Sequence, residues 1–202
     1  MQINFNDIME MDKRFRANLI NSVWGVRTIH LLGTRSKENI PNLSLVNSVF
    51  HLGANPPLMG FVMRPLTVRR DSWNNLLENP FFSLNSVQES FLNKAHQCSA
   101  KYDAEVSEFE ASGLTETHDN DLPVTYVKES AVKISLEMRE NFEVKSNNTI
   151  IITGEVKKLF IDDDYIDEEG NFQAEKAGIS GVAGLNEYYN FRKVKNLPYA
   201  RP

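Results

Sequence analysis

Small polar side chains interrupt one apolar run of this sequence, and three arginines follow the next apolar run along the chain. The first run spans Leu43 to Phe50 and is otherwise rich in Leu, Val and Phe; its polar residues are Ser44, Asn47 and Ser48. The arginines that follow the second run are Arg64, Arg69 and Arg70. Hydroxyl, amide and guanidinium groups are the donors that bind phosphate in proteins. The segment therefore predicts a phosphate site, although the pleat of a solvated strand explains the same polar residues more simply.

The two runs have the composition of β-strands, and the residues between them favour a turn. Leu58 to Met63 is the second run, and the intervening GANPP sequence contains Gly53, Asn55, Pro56 and Pro57. Glycine, asparagine and proline in this order force the chain to turn. We therefore expect a hairpin whose ends bring the hydroxyls and the arginines together.

The remaining patterns are mostly those of strands joined by short turns. We expect a short amphipathic helix up to Ser22, capped by Asn6 or Asp7, and helices over Val87 to Ser99 and around Ala104 to Ala111. Further strands are predicted at Thr28 to Gly33, Phe81 to Leu84, Ala131 to Val144 and Thr149 to Ile161. Because closure removes exposed strand edges, we expect a mainly β fold, an antiparallel barrel with a few peripheral helices, in a single domain over residues 1–202.

Composition narrows the classes of function. The chain has 202 residues, 24% charged and 41% hydrophobic, which is typical of one globular domain. A net charge of −5 disfavours a broad nucleic-acid surface. The charged N-terminal stretch is unlike a signal peptide, no apolar run reaches the roughly 20 residues of a membrane helix, and Cys98 is the sole cysteine. We therefore expect a cytoplasmic protein without membrane segments or disulfides.

Taken in order along the chain, several segments resemble the flavin reductase-like family with the FMN-binding split β-barrel, which includes flavoredoxin. The matching segments are FRANLINSVWG, LLGT, NLSLVNSVFHLGANPPLMGFVMRP, AHQCSAKY, VSEFEASGLT, VKES, ITGEV, GLNEYY and YARP. No one of them is diagnostic, but their order and spacing cover nearly the whole chain.

This resemblance implies a homodimer that binds FMN near its subunit interface. The implied activity is reduction of flavin by NAD(P)H, supplying a partner oxygenase; the alternatives are a non-enzymatic electron carrier that serves an acceptor protein, and a barrel that has lost flavin. The C-terminal tyrosines are expected at the interface. Because hydride chemistry belongs to the cofactor, the expectation includes no catalytic residue.

The resemblance also assigns cofactor-binding residues on the hairpin and on the segment that follows it. They are Asn42, Ser44, Asn47, Ser48, Val49, Phe50, Arg64, Arg70, Ser72 and Asn75. Val49 and Phe50 would face the flavin edge with backbone amides. Relatives usually carry a second small hydroxyl residue at the position of Asn47 and His-Thr at that of Asp71-Ser72. Unless Arg69 or Arg70 neutralises it, the carboxylate of Asp71 would weaken phosphate binding, so we expect FMN to be an exchangeable substrate.

Other residues that could do chemistry have simpler explanations. His30 and His96 fit structural roles, whereas for His51 a flavin contact and a strand-end role are equally compatible with its position. No His, Cys and Asp residues have metal-ligand spacing, so no metal site is expected. Cys98 has no base beside it in the sequence and is expected to be a buried, inert thiol.

Overall fold

Antiparallel strands form most of the regular structure in the computed structural model, which describes residues 1–103 and 105–201. The strands are β1 (Arg27–Thr28), β2 (His30–Arg35), β3 (Pro41–Val46), β4 (Phe50–Ala54), β5 (Pro57–Met63), β6 (Phe81–Ser86), β7 (Glu116–His118), β8 (Thr125–Val127), β9 (Val132–Val144), β10 (Thr149–Ile161), β11 (Ser180–Ala183) and β12 (Glu187–Asn190). The α-helices are α1 (Phe5–Glu10), α2 (Lys13–Ser22), α3 (Asp71–Glu78), α4 (Leu92–Gln97) and α5 (Glu108–Ser112). Short 3-10 turns cover Glu89–Phe91 and Asp163–Tyr165. The expected mainly β fold with a few helices is confirmed.

The main sheet curls into a barrel. Its strand order is β3-β2-β6-β9-β10-β5-β4, so β3 and β4 lie at opposite edges. In a flat sheet these edges would be about 29 Å apart, because strands are spaced by about 4.8 Å. Only residues 47–49 join the two strands, and a link of this length spans at most about 14 Å. The sheet must therefore bend until its edges approach each other.

Ser48 helps to hold this short link in place. Its hydroxyl donates to the carbonyl of Val62 at 3.0 Å and accepts from the amide of Val62 at 3.1 Å. A side chain thus satisfies the backbone of β5 where the strand ladder is interrupted. Smaller sheets, β1-β11-β12 and β7-β8, complete the described strands.

Two groups of buried apolar side chains lie on the two faces of the main sheet. One includes Leu32, Phe61, Phe82, Leu136 and Ile152. The other joins alternate residues of β2 and β3 to the helices and includes Leu31, Leu43, Phe91, Phe109 and Val182. Because successive side chains of a strand point to opposite faces, Leu31 and Leu32 belong to different groups. The polar residues of β3 consequently share a face with the first group.

Several predicted elements differ in extent from the observed ones. The run from Leu43 to Phe50 is not one strand: β3 ends at Val46 and β4 begins at Phe50. The helix expected over Val87 to Ser99 begins later, with the 3-10 turn at Glu89–Phe91 followed by α4. Val87 and Gln88 instead extend β6: the carbonyl of Val87 accepts from the amide of Ser180 in β11, and Gln88 forms a β-bridge with Ile179. The helix expected around Ala104 to Ala111 is observed as α5; Ala104 itself lies outside the described residues.

The N-terminal segment forms two helices instead of one. Asp12 begins the second helix, because its carboxylate accepts hydrogen bonds from the amides of Arg14 and Phe15. The first helix is capped by Asn4, not by Asn6 or Asp7, and Asp7 completes a capping box by accepting from the amide of Asn4. None of the described helices is long and apolar enough to span a membrane.

Candidate functional site

The hydroxyls of Ser44 and Ser72 meet where α3 packs on β2 and β3. Their oxygen atoms are 2.7 Å apart. In α3, the residues at helical spacing Ser72, Asn75 and Leu76 are buried, so one face of the helix carries both the polar and the apolar contact. Ser44 lies on the barrel-facing side of β3. Two hydroxyls that are distant in sequence thus form one donor pair.

Buried amide groups hold this pair in position. The side-chain amide of Asn42 donates to the hydroxyl of Ser72 at 3.0 Å and to that of Thr34 at 3.3 Å. The amide of Asn75 donates to the same Thr34 oxygen at 3.1 Å. All four side chains are almost fully buried. Because buried polar groups are costly when unpaired, the closed network fixes the orientation of the hydroxyls before any ligand binds.

Arg70 immediately precedes α3 and carries an unsatisfied guanidinium group. Its Nε atom is buried and has no hydrogen-bond partner among the described residues. Burial lowers the pKa of Arg70, and the nearby positive charge of Arg64 lowers it further. Within residues 1–103 and 105–201, neither arginine forms a salt bridge. Two like charges held close together without an anion favour binding of one.

The backbone adds to the positive character of this corner. No side chain among the described residues caps the N-terminus of α3, and Arg70 occupies its N-cap position. The first amide groups of a helix and its dipole both attract anions. Ser72 and Arg70 lie at this helix end, so the hydroxyl pair, the guanidinium groups and the helix N-terminus point to the same kind of ligand, a phosphate.

Asp71 does not leave an unneutralised carboxylate beside the arginines. Its Oδ1 atom lies 2.6 Å from the Nε of Arg69. The sequence left Arg69 and Arg70 as possible partners of Asp71, and in the structure the partner is Arg69. Among the described residues, neither Arg64 nor Arg70 forms an ion pair with this carboxylate.

The residues of the link between β3 and β4 have other contacts. Asn47 donates from its side chain to the carbonyl of Gly184 at 3.0 Å, and the hydroxyl of Ser48 is committed to Val62 as donor and acceptor. Val49 is partly buried against the barrel core. The ring of Phe50 covers Gly60, where an added Cβ would come within 2.5 Å of the ring. In the described residues, no side-chain hydrogen bond joins this group to the hydroxyl pair.

Sequence reasoning missed Thr34, which belongs to the network, and Glu108, which lies beside it. Thr34 accepts from both asparagines. The one feature of the sequence that could have indicated this role is its position opposite Asn42 in the predicted first hairpin. Glu108, from α5, accepts from the amide of Leu43 at 3.0 Å, where α5 covers the edge of β3. Burial raises the pKa of Glu108, which opposes ionisation near the site. A hydrogen bond between residues 65 positions apart in the chain cannot be recognised from the sequence.

The other candidates are separate from this corner. His51 is exposed, and the Nδ1 of His96 bonds the hydroxyl of Tyr188. Burial raises the pKa of the Cys98 thiol to about 11, so it stays protonated at neutral pH. No three His, Cys, Asp or Glu side chains in the described ranges are grouped closely enough to hold a metal ion.

Comparison with known proteins identifies the family of the chain. The model of the flavin reductase like domain matches residues 26–179. A split barrel protein assigned as a flavin reductase, from Shewanella frigidimarina, is 37% identical, has a TM-score of 0.95 and covers 99% of this chain and 100% of its own.

Two more distant structures share the fold. Nitrilotriacetate monooxygenase component B from Bacillus cereus is 21% identical, with a TM-score of 0.83 and 98% of each chain covered. An FMN-binding protein from Thermus thermophilus is 18% identical, with a TM-score of 0.73, covering 87% of this chain and 92% of its own. With the family model spanning most of the barrel, this chain belongs to the flavin reductase like domain family, and its fold is the split barrel.

Proposed function

We propose that the protein binds FMN and reduces it with NAD(P)H. The observation that supports this most strongly is the corner where the hydroxyls of Ser44 and Ser72 meet the unpaired guanidinium of Arg70, with Arg64 nearby. A 5′-phosphate supplies the missing anion and accepts from the guanidinium groups and from the serine hydroxyl that does not donate to the other. Asn42 and Asn75 would hold the donors in place.

The isoalloxazine ring would extend from the phosphate towards the link between β3 and β4. Val49 and Phe50 lie there, partly buried, and offer apolar contact and backbone amides. Flavin sites need an apolar slot with a few placed hydrogen bonds. Bound FMN would supply the hydride chemistry, while the protein provides binding and orientation. We therefore assign no side chain an acid or base role.

We propose in addition that the protein is a homodimer. Large apolar side chains are exposed on α1, on and just after α2, and on the C-terminal segment, including Phe5, Trp24, Val194 and Tyr199, the last with 90% of its surface accessible. Exposed apolar groups in this number favour a covering partner. The family resemblance makes a second copy of this chain the partner of choice, and sedimentation equilibrium measures it directly.

The experiment for the activity is FMN-dependent oxidation of reduced nicotinamide by purified protein, followed by loss of nicotinamide absorbance. Oxidation of NADH or NADPH that saturates with added FMN is the expected result. Flavin that binds without nicotinamide oxidation would instead support the electron carrier, and absence of flavin binding would leave only a barrel without cofactor.

Supply of reduced flavin to an oxygenase is the proposed role. Similarity in fold to a monooxygenase component B is what supports it. Exchangeable FMN suits such a supplier, because the product must leave the reductase. Flavin that dissociates within one catalytic cycle is the expected behaviour, and flavin that survives prolonged dialysis would contradict it.

A further inference from the structure

Helix α5 covers one edge of β3 with two consecutive side chains at its start. The hydroxyl of Ser107, the N-cap residue, donates to the carbonyl of Pro41 at 3.0 Å. The carboxylate of Glu108, the first helical residue, accepts from the amide of Leu43 at 3.0 Å. Among the described strands, β3 pairs only with β2, along its other edge. The two side chains therefore satisfy backbone groups that a neighbouring strand would otherwise bond.

These two hydrogen bonds hold the backbone on either side of Asn42. Asn42 lies between Pro41 and Leu43, and Ser44 follows Leu43 directly. The amide of Asn42 and the hydroxyl of Ser44 both bond the hydroxyl of Ser72, at 3.0 and 2.7 Å. Because side chains alternate along a strand, Asn42 and Ser44 share one face of β3. Helix α5 thus holds, from its edge, the strand segment that carries the polar groups of the phosphate corner.

The contact between α5 and β3 is fixed on both sides. Phe109 of α5 and Leu43 of β3 are buried in the same apolar group. The hydroxyl of Ser107 also accepts from the amide of Phe109 at 3.3 Å, which caps the helix. Since Leu43 is fully buried, its amide would be costly to leave unpaired. The bond to Glu108 is therefore part of the folded site and not an incidental surface contact.

The carboxylate of Glu108 also brings a negative charge towards α3. Burial raises the pKa of Glu108, the hydrogen bond from Leu43 opposes this, and the negative charge of Asp71 adds to it. Asp71 is the first residue of α3, so Glu108 lies within electrostatic range of the phosphate corner. A glutamine side chain offers the same kind of acceptor oxygen without the charge. Substitution can therefore separate the hydrogen bond from the charge.

We propose that Ser107 and Glu108 are positioning residues for the FMN phosphate. This inference rests on the proposed flavin function and names the residues that keep the phosphate donors in place. When the edge of β3 is released, Asn42 and Ser44 lose their fixed relation to Ser72. Binding of the phosphate must then order the strand, which lowers affinity. Riboflavin has no phosphate, so its affinity does not depend on this edge.

Two neutral variants of Glu108 isolate the hydrogen bond. Glu108→Gln and Glu108→Ala remove the same charge, but only glutamine can accept from the amide of Leu43. The dissociation constant for FMN is expected to be about fivefold higher in Glu108→Ala than in Glu108→Gln, the size of effect that one hydrogen bond produces. Riboflavin is expected to bind both variants equally. Glu110→Ala, at an exposed residue of the same helix, is the matched control and should bind both flavins like the wild type.

Ser107 supplies an independent pair of variants. Ser107→Ala removes the donor to Pro41, and Ser107→Thr keeps a hydroxyl. FMN, but not riboflavin, is expected to bind Ser107→Ala less tightly than Ser107→Thr. Fluorescence titration measures the affinities, and urea unfolding checks that each variant is folded. In unaltered, flavin-free protein the Leu43 amide is expected to exchange its hydrogen slowly, which keeps the inference testable if a variant does not fold.

The outcomes separate this inference from the proposed function. Equal FMN affinity of Glu108→Ala and Glu108→Gln, equal losses for FMN and riboflavin, or exchange of the Leu43 amide as fast as at an open strand edge overturns the positioning role. The proposed function stands in each of these cases if the wild-type protein binds and reduces FMN. If the wild-type protein binds no FMN, the proposed function itself fails.

Discussion

The Ser44 and Ser72 hydroxyl oxygens lie 2.7 Å apart, although 28 residues separate them in the chain. Helix α3 produces this contact by presenting Ser72, Asn75 and Leu76 on one buried face to β2 and β3. The amide of Asn42 donates to Ser72 and, together with that of Asn75, to Thr34, so the network holds Ser72 directly and Ser44 through Ser72. A preorganised donor pair beside Arg70 is the central feature of the proposed phosphate site.

Replacing Arg70 separates phosphate recognition from ring recognition. Arg70→Gln is expected to raise the dissociation constant for FMN about 10- to 100-fold, since a hydrogen bond to a charged group contributes about 1.5–3 kcal/mol. Riboflavin, which has no phosphate, is expected to bind variant and wild type equally. Fluorescence titration with both flavins measures the difference. Arg192→Gln, at an exposed arginine of the C-terminal segment, is the control; equal losses for FMN and riboflavin would contradict a phosphate role.

The same substitution is expected not to weaken the protein without ligand. Arg70 is partly buried, its Nε is unpaired, and it lies near the like charge of Arg64. Removing such a group relieves repulsion and desolvation. Urea unfolding of the flavin-free protein should therefore show equal or higher stability for Arg70→Gln. A clear loss of stability would indicate that Arg70 has a structural partner.

The ion pair between Arg69 and Asp71 is expected to protect the site from a negative charge. Arg69→Gln leaves the carboxylate of Asp71 unneutralised and should weaken FMN binding several-fold, with little change in stability because exposed ion pairs contribute about 0–1 kcal/mol. Adding Asp71→Asn should restore the affinity. The double-mutant cycle is measured by FMN titration; an additive result, with no restoration, would show that Asp71 does not act on the ligand.

Ser72→Ala should lower stability as well as FMN affinity. The substitution removes the acceptor of Asn42 and the partner of Ser44 in a buried network, and a buried polar group left unpaired costs about 1–3 kcal/mol. Ser72→Thr keeps the hydroxyl and should recover much of the loss. Urea unfolding measures the effect, with Ser90→Ala as an exposed control; an unchanged midpoint for Ser72→Ala would exclude the network.

His30 gives the protein a predicted acid sensitivity. Its Nδ1 atom is buried without a partner among the described residues, and burial lowers the pKa of His30 to about 4. The unfolded chain, with an ordinary pKa near 6.5, binds the proton more readily. The stability due to the neutral imidazole is therefore present above pH ~6.5 and is lost as the pH falls towards 4, by about 2 kcal/mol between pH 7 and pH 5.

The His30→Gln variant tests whether the protein loses stability as the pH falls because of His30. Its unfolding free energy should depend less on pH between 7 and 5 than that of the wild type, whatever its absolute value. His51→Gln, at an exposed histidine, should keep the wild-type dependence. Parallel pH profiles for His30→Gln and wild type would contradict the effect of burial.

Local patterns in the sequence predicted much of the barrel. Alternation and turn residues correctly indicated the β2–β3 hairpin, the long β9–β10 hairpin and the turn at Asn55. These features depend on residues close in sequence. The break between Val46 and Phe50 was missed, because barrel closure decides it: the chain must cross from one sheet edge to the other there.

The site was predictable only in part for the same reason. Ser44, Arg70 and Ser72 followed from the type of residue and from the family resemblance, and the structure places Ser44 and Ser72 together. Thr34 could not be recognised, since its role is to accept from Asn42 and Asn75. The bond of Ser48 to Val62 likewise depends on how the barrel closes. Assignment of Asn47, Ser48, Val49 and Phe50 to the flavin remains a prediction.

Titration of the purified wild-type protein with FMN and with riboflavin, followed by flavin fluorescence, tests the phosphate site most directly. We predict saturable binding of FMN that is at least tenfold tighter than that of riboflavin, about 1.4 kcal/mol or more from the phosphate. Equal affinity for the two flavins, or no saturable change with FMN, would contradict the assignment of Ser44, Arg64, Arg70 and Ser72 to a flavin phosphate.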